Sequence, residues 1–187
     1  MIRIARAEDG ADIAAIYAPI VRDTVISFEI EPPTAEEMAA RVAATLPTYP
    51  WLVWEEGGRA VGYVYAGRHA VRAAYRWSAE VTAYIAPEFH RKGIGKTLYQ
   101  ALFGILRRQG FHAVFGGVTL PNAASVALHE AVGMTPVGVY REAGFKFGAW
   151  RDVGWWRLGL SDDEGAPAEP VPFAELMGTA ELERLLG

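Results

Sequence analysis

His90-Arg91-Lys92-Gly93-Ile94-Gly95-Lys96 stands between a β-like run, Val81-Thr82-Ala83-Tyr84-Ile85, and a helix-like run from Ile94 to about Gln109. A basic, glycine-bearing turn that feeds a helix N-terminus is suited to hold a pyrophosphate. Its glycines let the backbone approach the phosphates, while unpaired amides and the helix dipole favour negative charge. Two familiar phosphate loops are excluded by counting. A Walker A loop needs glycine five positions before Gly95-Lys96-Thr97, where His90 stands, and a dinucleotide fingerprint from Gly93 needs glycine or alanine where Leu98 stands. What remains is a Gly-x-Gly turn, Gly93-Ile94-Gly95, led by His90 three residues upstream.

Outward from this turn the chain alternates strand-like and helix-like segments. Ile2 and Ile4 flank Arg3 as a first short strand, and Asp9 can cap a helix through about Val21. Thr24 to Pro33 reads as a loop rich in aromatic and acidic residues. Thr34 with Glu37 forms a capping box for a helix to about Leu46. Trp51 to Glu55 and Ala60 to Ala66, joined through Glu56-Gly57-Gly58, read as a hairpin, followed by a strand over Glu80 to Ile85. Gly110 suits a helix C-cap. Ala113 to Val118 is a strand, and Asn122 opens a helix to Val132 that Gly133 stops. Val137 to Tyr140 and Asp152 to Leu160 close the pattern. The order predicts an α/β fold: a mixed, mostly antiparallel central sheet of about six to seven strands flanked by helices. The composition shift after Ser161 divides the chain into a domain over 1–160 and a linker with a short helix over 161–187.

Composition narrows the function. At 187 residues the chain is long enough for one substantial core. A net charge of -4 without a Lys/Arg block argues against nucleic acid as the main partner. The absence of cysteine excludes disulfides, thiolate metal sites and a cysteine nucleophile. No apolar run approaches the roughly 20 residues of a membrane span, and Met1-Ile2-Arg3-Ile4-Ala5-Arg6 does not open a signal peptide. A soluble cytoplasmic protein with no membrane partner is the expectation. His129-Glu130 does not continue into a zinc-binding HExxH, because the fifth position is Gly133. No metal is expected.

The His90–Gly95 turn resembles the coenzyme A loop of the GNAT acyltransferases, Arg/Gln-x-x-Gly-x-Gly/Ala, with His90 in the usual Arg/Gln place. Further blocks resemble the phosphinothricin and methionine sulfoximine N-acetyltransferases within that superfamily. They are Ser27-Phe28-Glu29, Tyr49-Pro50-Trp51-Leu52-Val53, Arg72-Ala73-Ala74-Tyr75-Arg76-Trp77, Leu120-Pro121-Asn122-Ala123-Ala124-Ser125, Leu128-His129-Glu130, Arg141 to Lys146 and Trp150 to Trp156. They fall in family order over roughly residues 1–160, and the tail matches nothing.

The resemblance implies acetyl transfer from acetyl-CoA to the α-amino group of a small amino-acid-like acceptor. Phosphinothricin, methionine sulfoximine and methionine sulfone are the implied substrates. Glu80, at the start of the strand entering the coenzyme loop, has the chemistry of a general base that deprotonates an ammonium. It also fits a solvated strand end; the family implies the base. His129 fits either a structural helix histidine or the proton-transfer group implied by the family. Arg72 could clamp a carboxylate in bidentate fashion, with Tyr75 beside it. The family implies that Phe28 and Glu29 close over the substrate, although Arg72 also reads as a surface arginine and Phe28 as a core plug. Backbones of Val81, Ala83 and Ile85 would pair with pantetheine amides as an added strand does. Amides from Arg91, Lys92, Gly93, Ile94, Gly95 and Lys96 would hold the pyrophosphate. Asn122 and Ser125 match coenzyme contacts and equally fit ordinary capping residues. The aromatic C-terminal section implies a homodimer, with Lys146 near substrate or coenzyme. Other acceptors compete: a polyamine, an aminoglycoside or a protein N-terminus. A non-catalytic acyl-CoA sensor is the remaining alternative.

Overall fold

The computed structural model describes residues 1–162 and 165–187. Seven strands form one sheet: β1 (Ile2–Ile4), β2 (Trp51–Glu56), β3 (Arg59–Arg68), β4 (Ser78–Ile85), β5 (Ala113–Leu120), β6 (Thr135–Lys146) and β7 (Ala149–Gly159). Their spatial order is β1-β2-β3-β4-β5-β7-β6. All neighbours are antiparallel except β4 and β5, which run parallel. The expected α/β architecture is therefore present, with its mostly antiparallel sheet.

Two layers of helix cover the sheet, and the alternation of side chains decides what each layer meets. Trp51, Val53 and Tyr63 point toward α1 (Gly10–Asp23) and α2 (Ala35–Thr45), where Ile13, Tyr17, Val21, Met38 and Val42 complete one core. Their neighbours Leu52, Val64, Ala79 and Val81 point the other way, against α3 (Ile94–Gln109) and its Leu98, Leu102 and Leu106. α4 (Ala123–Ala131) packs beside α3. The capping box forms at Thr34 and Glu37 as the sequence predicts. Asp9 departs from its expected role: its carboxylate accepts from the Arg6 amide and from Arg3, closing a 3-10 turn ahead of the helix.

β6 and β7 are longer than the alternating runs that announced them, because the bulge between Tyr140 and Gly144 interrupts the alternation without ending the pairing. The linker reading of the segment after Ser161 includes Asp163 and Glu164, which lie outside the described residues. Beyond them the chain docks. Phe173, in the short helix α5 (Phe173–Leu176), is fully buried, and Leu182 of α6 (Ala180–Leu186) joins the same core. Gln109 Nε2 donates to the carbonyls of Thr48 and Val171, tying this segment to α3 and to the turn after α2.

Candidate active site

β4 and β5 pair only over Ser78–Ala113, Ala79–Val114 and Glu80–Phe115, although β4 continues to Ile85 and β5 to Leu120. The sheet opens beyond Glu80. The Ala86 amide donates to the Val61 carbonyl, so even-numbered residues of β4 turn their polar groups toward β3. Antiparallel alternation then turns the polar groups of Val81, Ala83 and Ile85 to the β5 side, where the Val81 amide closes the last rung on Phe115 and the Val81 carbonyl, both Ala83 groups and the Ile85 amide follow beyond it. A row of backbone groups facing a wedge rather than a strand is what an extended amide ligand would pair with. His90 Nε2 stands 2.8 Å from the Ile85 carbonyl, so the residue in the Arg/Gln place is engaged at the mouth of the wedge.

Below the wedge the glycine turn opens α3. Gly93 is the N-cap, with φ of 82°, and no side chain caps the helix there. The first-turn amides of Ile94, Gly95 and Lys96 therefore stand without a side-chain acceptor, beside the helix dipole's positive end. Arg91 also adopts positive φ, 60°. Arg91, Lys92 and Lys96 are exposed around this turn, and Lys92 rests over the Phe89 ring. The two glycines act differently. Gly93 supplies a left-handed turn, whereas a Cβ on Gly95 would sit 3.1 Å from Leu128, so its smallness lets α4 approach α3. Asn122 accepts from the Ser125 amide, an ordinary N-cap for α4.

Glu80 lies where the parallel ladder ends, on the face covered by α1 and α2. Burial pushes its pKa above the ordinary carboxyl value. His69, just past β3, places Nδ1 3.9 Å from Glu80 Oε2. Its ring stacks on Phe115, and Tyr75 meets it edge-on. Arg72 is exposed at the start of the 3-10 turn that carries Tyr75.

His129 occupies the opposite face. A Cβ on Gly116 would meet its ring at 2.6 Å, and Gly116 follows Phe115, the register partner of Glu80. Sheet alternation thus sets the two expected catalytic groups on opposite sides of β4 and β5. His129 Nδ1 lies 2.7 Å from the Ser125 carbonyl, which places the Nδ1 proton there and leaves Nε2 facing the Tyr99 hydroxyl at 3.5 Å. Burial pulls its pKa down, opposed by the Ser125 contact.

The aromatic loop is fixed by side chains on three elements. Arg41 of α2 grips the Glu29 carboxylate at 2.7 and 2.9 Å, and the Tyr17 hydroxyl donates to it at 2.9 Å. The Arg41 hydrogen bonds hold the Glu29 pKa below its ordinary value. Glu29 therefore anchors the loop. The Phe28 ring lies on Gly144, where a Cβ would come within 2.3 Å of it. Lys146 is buried, and its ammonium donates to the carbonyls of Val21, Ser27 and Glu29 at 2.7, 2.7 and 2.8 Å. All three of its protons are engaged by this loop and the end of α1, so Lys146 ties down the backbone on either side of Phe28. A cavity of about 250 Å³ lies under the loop, walled by Tyr17, Arg41, Trp51, Tyr63, Tyr65 and Tyr84 among others.

Comparison with known families agrees with this geometry: the model of the acetyltransferase (GNAT) domain matches residues 2–155. The chain belongs to the GNAT acetyltransferases. This acetyltransferase is 40% identical over 171 residues to a phosphinothricin N-acetyltransferase of Streptomyces viridochromogenes, covering 91% of each chain. It is 34% identical to an L-methionine sulfoximine/L-methionine sulfone acetyltransferase of Salmonella typhimurium, over 89% of this chain and 97% of that protein. A phosphinothricin acetyltransferase from Sinorhizobium meliloti, solved with AcCoA, superposes with a TM-score of 0.85 at 34% identity, covering 91% of this chain and 94% of the other.

Sequence reasoning about this GNAT enzyme overlooked three participants. His69 carried no signal, since a single histidine after a strand has no pattern. Arg41 was hidden on the helix that follows the loop it holds. Phe115, a strand aromatic, reads as core until the β4–β5 gap is seen. Among the described residues no group of three or more His, Cys, Asp or Glu is arranged for a metal, and no helix is long and apolar enough to cross a membrane.

Proposed function

We propose that this enzyme transfers the acetyl group of acetyl-CoA to the α-amino group of a small amino-acid-like acceptor, with phosphinothricin, methionine sulfoximine and methionine sulfone as the candidates. One observation carries the reading: among the described residues β4 faces no strand between its last rung with Phe115 and Ile85, whose carbonyl His90 meets, above a helix N-terminus without a side-chain cap and beside Glu80. Pantetheine amides would extend the sheet along Val81, Ala83 and Ile85. The pyrophosphate would rest on the amides of Gly93 to Lys96 with Arg91 and Lys92 beside it, and Asn122 and Ser125 would border the coenzyme while capping α4.

Glu80 takes the proton from the acceptor ammonium, and the free amine attacks the thioester carbonyl directly. Backbone donors along the gap would stabilise the oxyanion before thiolate leaves. No covalent enzyme intermediate is required. His129, with Nε2 left as an acceptor beside Tyr99, is the second proposed proton-transfer group, acting from the other face of the sheet. Arg72 and Tyr75 receive the acceptor's carboxylate end, and Phe28 closes over it on the loop that Glu29 anchors.

We infer a homodimer through the β6–β7 ribbon, where Val137, Tyr140, Phe145, Phe147 and Trp150 are exposed together. The catalytic unit is residues 1–160, followed by a C-terminal linker and short helix over 161–187, and the expected compartment is the cytoplasm. Resistance to phosphinothricin would follow from its acetylation.

Thiol release from acetyl-CoA tests the reading against phosphinothricin, methionine sulfoximine, methionine sulfone, spermidine, kanamycin and a peptide N-terminus. Turnover confined to the first three is expected. A preference for spermidine or kanamycin removes the amino-acid site, and silence with coenzyme still bound turns the chain into a sensor.

A further inference from the structure

His69 belongs to none of the groups used so far. Its ring is stacked on Phe115 with centroids 4.2 Å apart and planes 13° from parallel. Tyr75 and Trp155 close on it edge-on, at 6.0 and 5.8 Å. Aromatic contacts from three different segments hold the ring in one orientation. In that orientation Nδ1 is buried, has no hydrogen-bond partner among the described residues and stands 3.9 Å from Glu80 Oε2. A buried polar nitrogen without a partner is unfavourable, so an arrangement that closes this gap is favoured. A fifth of the His69 side chain is nevertheless exposed (20%), so water reaches the ring at atoms other than Nδ1.

We propose that His69 is the proton relay of Glu80, receiving at Nδ1 the proton that Glu80 removes from the acceptor ammonium and releasing one to water from Nε2. The proposal rests on the reading of Glu80 as the general base. The acceptor's N–H bond breaks as an O–H bond forms on Glu80. That O–H bond then breaks as Nδ1–H forms, and the Nε2 proton leaves to solvent; between turnovers a swing of the side chain into water lets Nδ1 lose its proton and Nε2 regain one, which restores the starting tautomer. One proton reaches water for each acetyl group transferred. The ring begins with its proton on Nε2 and a lone pair on Nδ1. A movement of about 1 Å by the protonated carboxyl brings its O–H within hydrogen-bond reach of that lone pair.

Burial lowers the His69 pKa, so the resting ring is neutral near pH 7 and carries a lone pair, and it passes the proton on to water rather than holding it. Glu80 faces it from β4 and Tyr75 from the 3-10 turn, while Phe115 and Trp155, from β5 and β7, carry no charge. Arg157 is the register partner of Phe115 on β7. On the loop itself, Arg72 is exposed and Arg68 donates to the carbonyls of Ala70 and Val71.

The test compares the full-length wild type, H69F, H69A and E80Q with acetyl-CoA and methionine sulfoximine. H69F keeps an aromatic ring against Phe115 and removes both nitrogens. Its kcat is expected to fall roughly 10- to 100-fold, less than that of E80Q, with the KM for acetyl-CoA unchanged. Imidazole is expected to restore turnover to H69A, whereas pyrrole, a ring of the same size without a basic nitrogen, is not. Wild-type kcat in H69F alongside an inactive E80Q overturns the relay and leaves the base in place. Equal rescue by pyrrole overturns it in favour of packing. Wild-type turnover in E80Q removes the base, and the relay falls with it.

Discussion

Arg41 holds Glu29 through both carboxylate oxygens, and this pair fixes the loop that presents Phe28. Both side chains remain more than a third exposed, at 44% and 36%, so solvent screening limits the pair's contribution to stability to about 1 kcal/mol or less. R41M is therefore expected to lower Tm by only a few degrees in a thermal melt, while raising the KM for the acceptor more than the KM for acetyl-CoA. The pH dependence has a definite sign. Glu29 has a depressed pKa in the folded state, so the pair's contribution is present above the unfolded carboxyl pKa and is lost as pH falls through the lower folded value. R41M should shrink that acid-side component of a stability–pH curve, the remainder coming from the Tyr17 hydrogen bond and the Lys146 charge.

Glu80 titrates in the other direction. Its pKa is raised by burial, so the ionised base is lost, on acidification, at a higher pH than an ordinary carboxylate near 4.5 would be. The acid limb of kcat against pH is expected above that value. E80Q is expected to lose about 10²- to 10⁴-fold in kcat while binding coenzyme normally by calorimetry. An E80Q enzyme with an unaltered acid limb would contradict the assignment.

Lys146 joins the β6 end to the α1 end and the aromatic loop through three carbonyls. K146M keeps the apolar stem and removes all three bonds. The freed carbonyls can recover only partly through water, so a loss of about 1–3 kcal/mol is expected in denaturant unfolding. Acceptor KM should rise with it, because Ser27 and Glu29 flank Phe28.

Phe173 is fully buried in the core beneath α3. F173A is expected to destabilise the whole chain by about 3–5 kcal/mol, read from the denaturant midpoint at unchanged slope. A loss confined to the last residues, seen as early proteolysis with an unchanged midpoint, would show instead that the segment docks without supporting the domain.

Gly93 has a left-handed conformation that other residues adopt at a cost of about 1–2 kcal/mol. G93A should weaken coenzyme binding severalfold by calorimetry and leave the KM for the acceptor close to wild type.

Local chemistry made much of this molecule legible without coordinates. The Thr34–Glu37 box, the Gly93 and Gly110 ends of α3, and the Glu56-Gly57-Gly58 turn each depend on residues a few positions apart, and each formed where the pattern placed it. The ribbon of β6 and β7 extends past its alternating runs because the alternation breaks at the bulge while the pairing continues. The α5 turn was missed because four residues are too few to establish a period.

The sequence determined the order of the main elements, the glycine turn that opens α3 and the family, since these rest on short-range spacing and on blocks in a fixed order. Only the tertiary structure decided which groups meet. It separated Glu80 from His129 by one step of strand alternation, brought His69 to Glu80 across paired strands, and turned Lys146 onto carbonyls 117 to 125 residues away. Such meetings depend on register and on how far β4 and β5 diverge. Those are set by packing over the whole sheet, and no local spacing records them.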